Sequence, residues 1–385
     1  MATRNREAIQ ATMEVMIDSL RSQLDNVEPT VLEAMDLFDV IGERRTSALD
    51  MMSVRSYRMM REWVGERDES LDRRVFKSRV QARKFQDSVS IPIEDIEDGN
   101  LANYDPGDQT SGLLMAYRNR VAYEQHDYLV HSMDEQYHGG EMTGSNGEVI
   151  FSGSMDGEPL LSDSHPYFER VEFDSTAAPG QRVRIITSGT WSNLANDDLT
   201  RENLYKARRE FRKMTNHHSI PANMGTPNVL VVGPDLEEKA EEILEQNLRV
   251  VQTSDGVTAV DNNDSQRLNL EVMTNNWLDG PETIGEITFG GTTYTAQELD
   301  SGKFWFLVNT RPDVKPFVRW DRKLPEIQVP IGTPDFASAN PAEGAVAYPV
   351  YREDAAKVGI RTRFGHSFGV PHVIYGSLGG QTLTE

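Results

Sequence analysis

The sequence predicts an α+β fold, with helices in the middle of the chain and strands at both ends. A stretch from about 110 to 137 sets Leu114, Tyr117, Val121, Tyr128 and Met133 near one face of a helix about 40 Å long. Two shorter segments, DDLTRENLYKARREFRKMTN (197–216) and PDLEEKAEEILEQNL (234–248), repeat the helical period. From 270 onward strand patterns dominate: EITFGGTTYT, KFWFLVNT, KPFVRWD, AVAYPVY and VGIRTRFGHSFG. At 385 residues the chain exceeds one minimal domain and fits two, or one large discontinuous one.

Residues 1–45 read as an amphipathic helical arm. Ile9, Met13, Ile17, Leu20 and Leu24 recur at helical spacing, Pro29 ends that helix, and Val31, Met35 and Phe38 suggest a second, short one. The arm holds too few apolar residues for its own core, so it packs on its own domain or on a neighbour. Residues 46–92 read as an extended β-hairpin or loop, in which FQDSVSIPI (85–93) sets Phe85, Val89, Ile91 and Ile93 on one strand face. A turn-rich connector, IEDGNLANYDPGD (96–108), leads into the long helix. Residues 139–196 are rich in Gly, Ser and Asp, with short strands such as EVIFS and RVRIITSG. In 197–216, Thr200 is the expected N-cap and Leu199 with Leu204 a hydrophobic staple. Leu204, Ala207, Phe211 and Met214 form the buried face. PNVLVVGPDLEEKAEEILEQNL (227–248) reads as strand, turn and helix. Asp235 and Glu238 fit a capping box, and Leu236, Ala240, Ile243 and Leu244 form the inner face.

Composition narrows the function classes. With no cysteine, disulfides, thiolate catalysis and Cys-based metal sites are excluded. No apolar run of about 18 residues suggests a membrane span, and MATRNREAIQ lacks the apolar core of a secretory signal. The net charge of −22 opposes binding to nucleic acid on average. Nine of the 39 basic residues are lysine, and an acidic, lysine-poor surface fits a protein that works in high salt. Charge is also unevenly placed. Between Arg55 and Lys84 ten bases face five acids, so this window is +5 and the remainder −27. Within it Trp63 stands among arginines, beside Val64 and Gly65. A basic extended segment on an acidic chain is attracted to the body of another copy, and head-to-tail contacts of that kind close into rings or shells.

Candidate catalytic and metal motifs are weak. His126 and His131 are five apart, His217 and His218 adjacent, His366 and His372 six apart, and none makes a zinc signature. LSDSHPYF (161–168) holds Ser, Asp and His together, but no GxSxG elbow occurs and the stretch reads as a turn. Phosphate-loop motifs are missing, and neither Gly290–Gly291 nor Gly379–Gly380 precedes a helix. The expectation is no catalytic residue, no metal site and no cofactor.

MMREWVGERDE (59–69) followed by VFKSRVQARKFQDSVSIPIEDIED (75–98) resembles the major head protein family of phage Mu and its prophage relatives. DGEPLLSDSHP (156–166), LTRENLYKARREFRKM (199–214), GTPNVLVVGPDLEEKAEEIL (225–244) and GKFWFLVNTRPDVKPFVRW (302–320) follow in the family's order, so the resemblance spans roughly 55–325. It implies the Hong Kong 97-type capsid fold of tailed viruses. On that plan residues 1–48 are the N-terminal arm and 49–93 the E-loop. Residues 94–196 are the peripheral domain with its spine helix, 197–300 the axial domain, and 301–385 the strands returning to both. The acidic composition points to a virus of halophilic archaea.

The resemblance implies a non-enzymatic major capsid protein located in the virion capsid and assembled in the host cytoplasm. Copies would form hexamers and pentamers of an icosahedral shell around double-stranded DNA, touched only non-specifically. Decoration, scaffolding and portal proteins are possible partners, and no membrane is expected. Arg55, Arg58, Arg61, Trp63, Gly65, Arg67, Arg73, Arg74, Lys77, Arg79, Arg83 and Lys84 are the expected inter-subunit contacts. Lys77 and Lys84 lie in the region where some members of the fold cross-link. No maturation cleavage of the N-terminus is expected. Two other readings stay open, another virion component or adaptor with a nucleic-acid role, and a His-dependent hydrolase.

Overall fold

A computed structural model describes residues 15–24, 27, 29–44, 46, 48–54, 74–92, 94, 106–135, 141–143, 149–151, 158–167, 170–173, 183–186, 189–215, 222, 224–245, 248–253, 256–261, 268–278, 286–289, 292–295, 298–328 and 355–381.

Helix α1 (15–24) buries Met16 and Leu20 against Leu113, Val358 and Ile360 of the same chain, with Leu24 alongside. The inner stripe therefore runs 16-20-24 and Ile17 sits on its flank; Ile9 and Met13 lie outside the described residues. Helix α2 (Val31–Ala34) is one turn, closed by a capping box. Thr30 Oγ1 accepts from the Glu33 amide, and Glu33 Oε2 accepts from the Thr30 amide at 3.1 Å. Asp36 then adopts φ 55, which ends the helix. Phe38, expected on a second helix, stands instead in strand β1 (Phe38–Ile41).

Strands β2 (Ala48–Val54) and β3 (Arg74–Gln81) form an antiparallel hairpin, and β4 (Arg83–Pro92) follows after Ala82. Helix α3 runs Pro106–Val130, earlier at both ends than the expected 110–137. Pro106 suits a first helical position. At the other end the chain tightens into a 3₁₀ turn, His131–Met133, where Ser132 Oγ donates to the Leu129 carbonyl at 2.6 Å, and Asp134 is extended.

Small strands follow: β5 (Glu141–Thr143) with β6 (Val149–Phe151), β7 (His165–Tyr167), β8 (Arg170–Phe173) with β9 (Val183–Ile186), β10 (Gly189–Trp191), which pairs with β7, and β11 (Leu194–Ala195). Helix α4 (Arg201–Lys213) has Thr200 as its N-cap, and Leu199, Leu204, Ala207, Phe211 and Met214 are buried as expected. Strand β12 (Val229–Val232) leads to helix α5 (Pro234–Glu245). Because Pro234 is the first helical residue, Asp235 lies inside the first turn, not at the N-cap, which corrects the expected capping box. The hairpin β13 (Leu248–Thr253) with β14 (Gly256–Asp261), β15 (Glu271–Thr274), the hairpin β16 (Glu286–Phe289) with β17 (Thr292–Thr295), β18 (Trp305–Val308), β19 (Phe317–Gln328), β20 (Ala355–Phe368) and β21 (Ile374–Ser377) complete the chain. AVAYPVY lies outside the described residues.

Two sheets organise these elements. One has the order β1-β19-β20-β4, with β1 parallel to β19; the other has the order β11-β21-β18-β12-β15. The apolar runs VLVV and WFLV are buried on both faces, which is why they do not alternate. Leu230, Val232, Trp305 and Leu307 face α4 and α5. Val229, Val231, Phe306 and Val308 face the other way, into a core shared with Leu129 and Met133 at the end of α3 and with Phe38, Phe317 and Phe368 of the first sheet. At the chain's return past this core, Gly379 (φ +76) lies so close to Lys303 that a Cβ would come within 2.2 Å of its carbonyl oxygen.

Candidate functional site

The basic hairpin leaves the body of the molecule at a charged junction. β3 passes through Ala82 into β4, and β4 pairs with β20 from Arg83↔Phe364 to Pro92↔Ala355. Inside the hairpin base, Leu49 and Val80 pack on Trp320 of β19. Arg83 pairs with the carboxylate of Glu124 on α3, and Arg120, one helical turn earlier, pairs with the same carboxylate. Arg120 also lies 4.8 Å from the Phe85 ring centroid and 5.3 Å from that of Tyr123. Glu124 is buried. Burial lifts its carboxyl above the usual range, while the Arg83 and Arg120 guanidiniums oppose the rise.

A second junction holds α2. Arg319 on β19, itself buried, pairs with Glu33 of α2 and with Asp321 at 2.9 Å, and donates to the Tyr117 hydroxyl of α3 at 3.1 Å. Glu33 and Thr30 close the capping box described above, and Thr30 Oγ1 also donates to the Gln125 side chain. Burial and the nearby Asp321 raise the Tyr117 pKa, so the hydroxyl stays protonated and available as an acceptor. Thr30, Glu33, Tyr117, Arg319 and Asp321 line a cleft of about 360 Å³ between arm, helix and sheet. Buried charges held by several partners each are stable only when all partners are present, so the network ties three elements into one load path.

Of the expected contact residues, Arg55, Arg58, Arg61, Trp63, Gly65, Arg67 and Arg73 lie outside the described residues. Arg74, Lys77 and Arg79 occupy β3, in register with Val54, Met52 and Asp50 of β2. Arg83 pairs within the chain, and Lys84 is exposed. Sequence reasoning missed Glu33, Glu124, Arg319 and Asp321. The one signal for them was a charged pair, Arg319 and Asp321, embedded in the apolar strand FVRWD.

The described histidines serve packing. His165, in LSDSHPYF, stands at the start of β7 after a bend, stacks on Trp191 at 4.3 Å between ring centroids and has Nε2 3.0 Å from Asn193 Oδ1. His131 pairs with Asp127 at 3.2 Å. His372 Nε2 lies 2.9 Å from the Thr215 carbonyl oxygen, and His126 Nδ1 3.5 Å from the Asn275 amide nitrogen. Among the described residues no group of three or more His, Asp or Glu could hold a metal, and no helix is long and apolar enough to cross a membrane.

The family model for the Mu-like prophage major head subunit gpT matches residues 46–135, the hairpin and long helix. No curated protein matches the chain. Among solved structures, the procapsid of bacteriophage JBD30 is 13% identical, with 97% of this chain and 76% of that chain covered and a TM-score of 0.43. A virus-like particle from Pyrococcus furiosus is 10% identical, with 94% and 98% covered and a TM-score of 0.41. The capsid of cyanophage P-SCSP1u is 8% identical, with 89% and 86% covered and a TM-score of 0.43. The family model for phage capsid proteins matches residues 173–368, just over half of the sequence, and the chain belongs to that family.

Proposed function

We propose that the protein is the major capsid protein of a tailed virus, with a structural and not a catalytic role. Copies join as hexamers and pentamers of an icosahedral shell that encloses double-stranded DNA. The observation that carries this reading is a hairpin whose strand β3, with the start of β4, holds the whole excess of the +5 window, Arg74, Lys77, Arg79, Arg83 and Lys84 with no acid between them, on a chain of net charge −22 that belongs to a capsid family. Within the Hong Kong 97-type plan, residues 1–48 act as the arm and 49–93 as the E-loop. Residues 94–196 act as the peripheral domain, 197–300 as the axial domain, and 301–385 return to both. The E-loop reaches a neighbouring copy through its arginines and Trp63, and Lys84 at its base stays exposed for contact or cross-linking. Scarce lysine and excess carboxylate suit assembly in high salt, where close pairs and apolar anchors outweigh long-range attraction. Electron microscopy of the purified protein tests the reading. Closed shells of uniform size are expected, and a small discrete oligomer that never closes would overturn it.

A further inference from the structure

Helices α4 and α5 lie on one face of the five-stranded sheet and carry opposite charge. α4 has six basic and two acidic residues, net +4; α5 has six acidic residues and one lysine, net −5. Their apolar faces are buried in one cluster, so the charge lies on the outer faces. Arg209, Arg212 and Lys213 are exposed on α4; Asp235, Glu238 and Glu241 are exposed on α5. α4 packs on β21, toward one edge of the sheet, while α5 packs on β12 and β15 at the other. Charge on α4 is partly balanced at home, where Lys206 pairs with Asp197 at 2.7 Å. Lys213 reaches Glu210 at 2.7 Å and Arg209 lies 3.9 Å from the same carboxylate. Burial and the Arg212 charge both lower the pKa of Arg208.

We propose that the basic outer face of α4 docks on the acidic outer face of α5 in a second copy of this chain, so that copies join head to tail. This rests on the reading of the protein as a self-assembling subunit. Complementary faces set toward opposite edges of one sheet meet their complement in the next copy, and repetition of such a heterologous contact closes a ring. The two helices, 13 and 12 residues, are matched in length at about 20 Å. Glu202 and Glu210 on α4 itself, and the −22 net charge, disfavour nucleic acid as the occupant.

Two variants of the full chain test it, Arg209→Glu/Arg212→Glu and Glu238→Arg/Glu241→Arg. All four positions are exposed, so folding, followed by thermal unfolding, should be unchanged. Each variant alone is expected to assemble about tenfold less than wild type, because the net charge of α4 falls from +4 to 0 in the first and that of α5 from −5 to −1 in the second. Mixed one to one they should associate in pairs, since the unaltered α4 of the second protein meets the unaltered α5 of the first; sedimentation reads this directly. Association of the mixture into pairs without closed shells supports the helix contact, because each pair ends in one altered α4 and one altered α5, whereas wild-type protein that never closes into shells would count against the shell instead. The proposal is overturned if either variant assembles alone as wild type does, or if the mixture sediments as its separate components. It is overturned also if Arg209→Glu/Arg212→Glu shells form in normal yield but hold less DNA, which would assign the basic face to nucleic acid.

Discussion

His366 sits where the layers meet and, among the described residues, has no hydrogen-bond partner on either ring nitrogen. It stands on β20 directly opposite Arg319 of β19, with the rings of Phe38, Phe364 and Tyr128 at 5.3, 5.5 and 5.6 Å. Burial, then the charges of Arg319 and Arg83, hold its pKa well below the usual 6.5. His126 is lowered to about 4, chiefly by burial. For both, the unfolded chain takes up the proton first as pH falls. Their contribution is therefore intact above about 6.5 and is lost as pH drops toward the folded-state values. For His126 alone the loss amounts to about 3 kcal/mol. His131 acts in the opposite direction. Burial opposes its protonation, but the hydrogen bond and charge of Asp127 outweigh burial and raise its pKa, so its contribution is lost as pH rises, as is that of Glu124, whose carboxyl burial lifts. The net expectation is that the urea midpoint of the subunit falls between about pH 7 and pH 4.5. His366→Phe keeps the aromatic packing and removes one titrating group, so its midpoint should fall less steeply. Parallel pH profiles for the two proteins would show that His366 carries none of the effect.

At the level of elements, α4 shows what local sequence can specify. Thr200 accepts a hydrogen bond from the Asn203 amide at 3.2 Å, and Leu199 and Leu204 are buried in one cluster on either side of it. Thr200→Ala should cost about 1 kcal/mol, read as a lower denaturation midpoint at unchanged slope, with no effect from Thr200→Ser. An unchanged midpoint in Thr200→Ala would mean that packing alone fixes the helix start. This cap, the inner faces of α4 and α5, and the strand read at 85–93, which the structure has at 83–92, are legible because each depends on residues within a few positions of one another. The misread elements depend on distant partners. Val31, Met35 and Phe38 have helical spacing, yet Phe38 is drawn into a parallel pair with Phe317 and stacks on it at 5.1 Å. Asp235 has the chemistry of a cap, but Pro234 beside it takes the first helical position. The arm's anchor was the least legible, since nothing near Glu33 in the sequence indicates that Arg319 will be buried against it. Of the candidate site, the charge window marked the hairpin, and the network at its base came only from the fold.

For the whole molecule, the proposed shell asks how a chain of net charge −22 would associate with copies of itself. Uniformly acidic surfaces repel, so contact must come from places where the sign is reversed or the surface is apolar. On the proposed reading the window from Arg55 to Lys84 would supply both, an excess of five positive charges in 74–84 and Trp63 in the stretch before it. Salt separates the two contributions. At about 1 M the screening length shrinks to roughly 3 Å, so attraction across the hairpin fades while apolar burial does not. Burial of a tryptophan at a contact is worth about 2–3 kcal/mol, and loss of that amount at every copy weakens a closed shell far more than any single subunit. Trp63→Ala is therefore expected to leave the thermal unfolding of the isolated subunit unchanged and to lower the yield of closed shells, with the deficit growing as salt is raised. Equal shell yields at low and high salt, matching wild type, would show that Trp63 is no anchor and that the arginines alone make the contact. A lowered unfolding temperature with normal shells would place Trp63 in the subunit's own core.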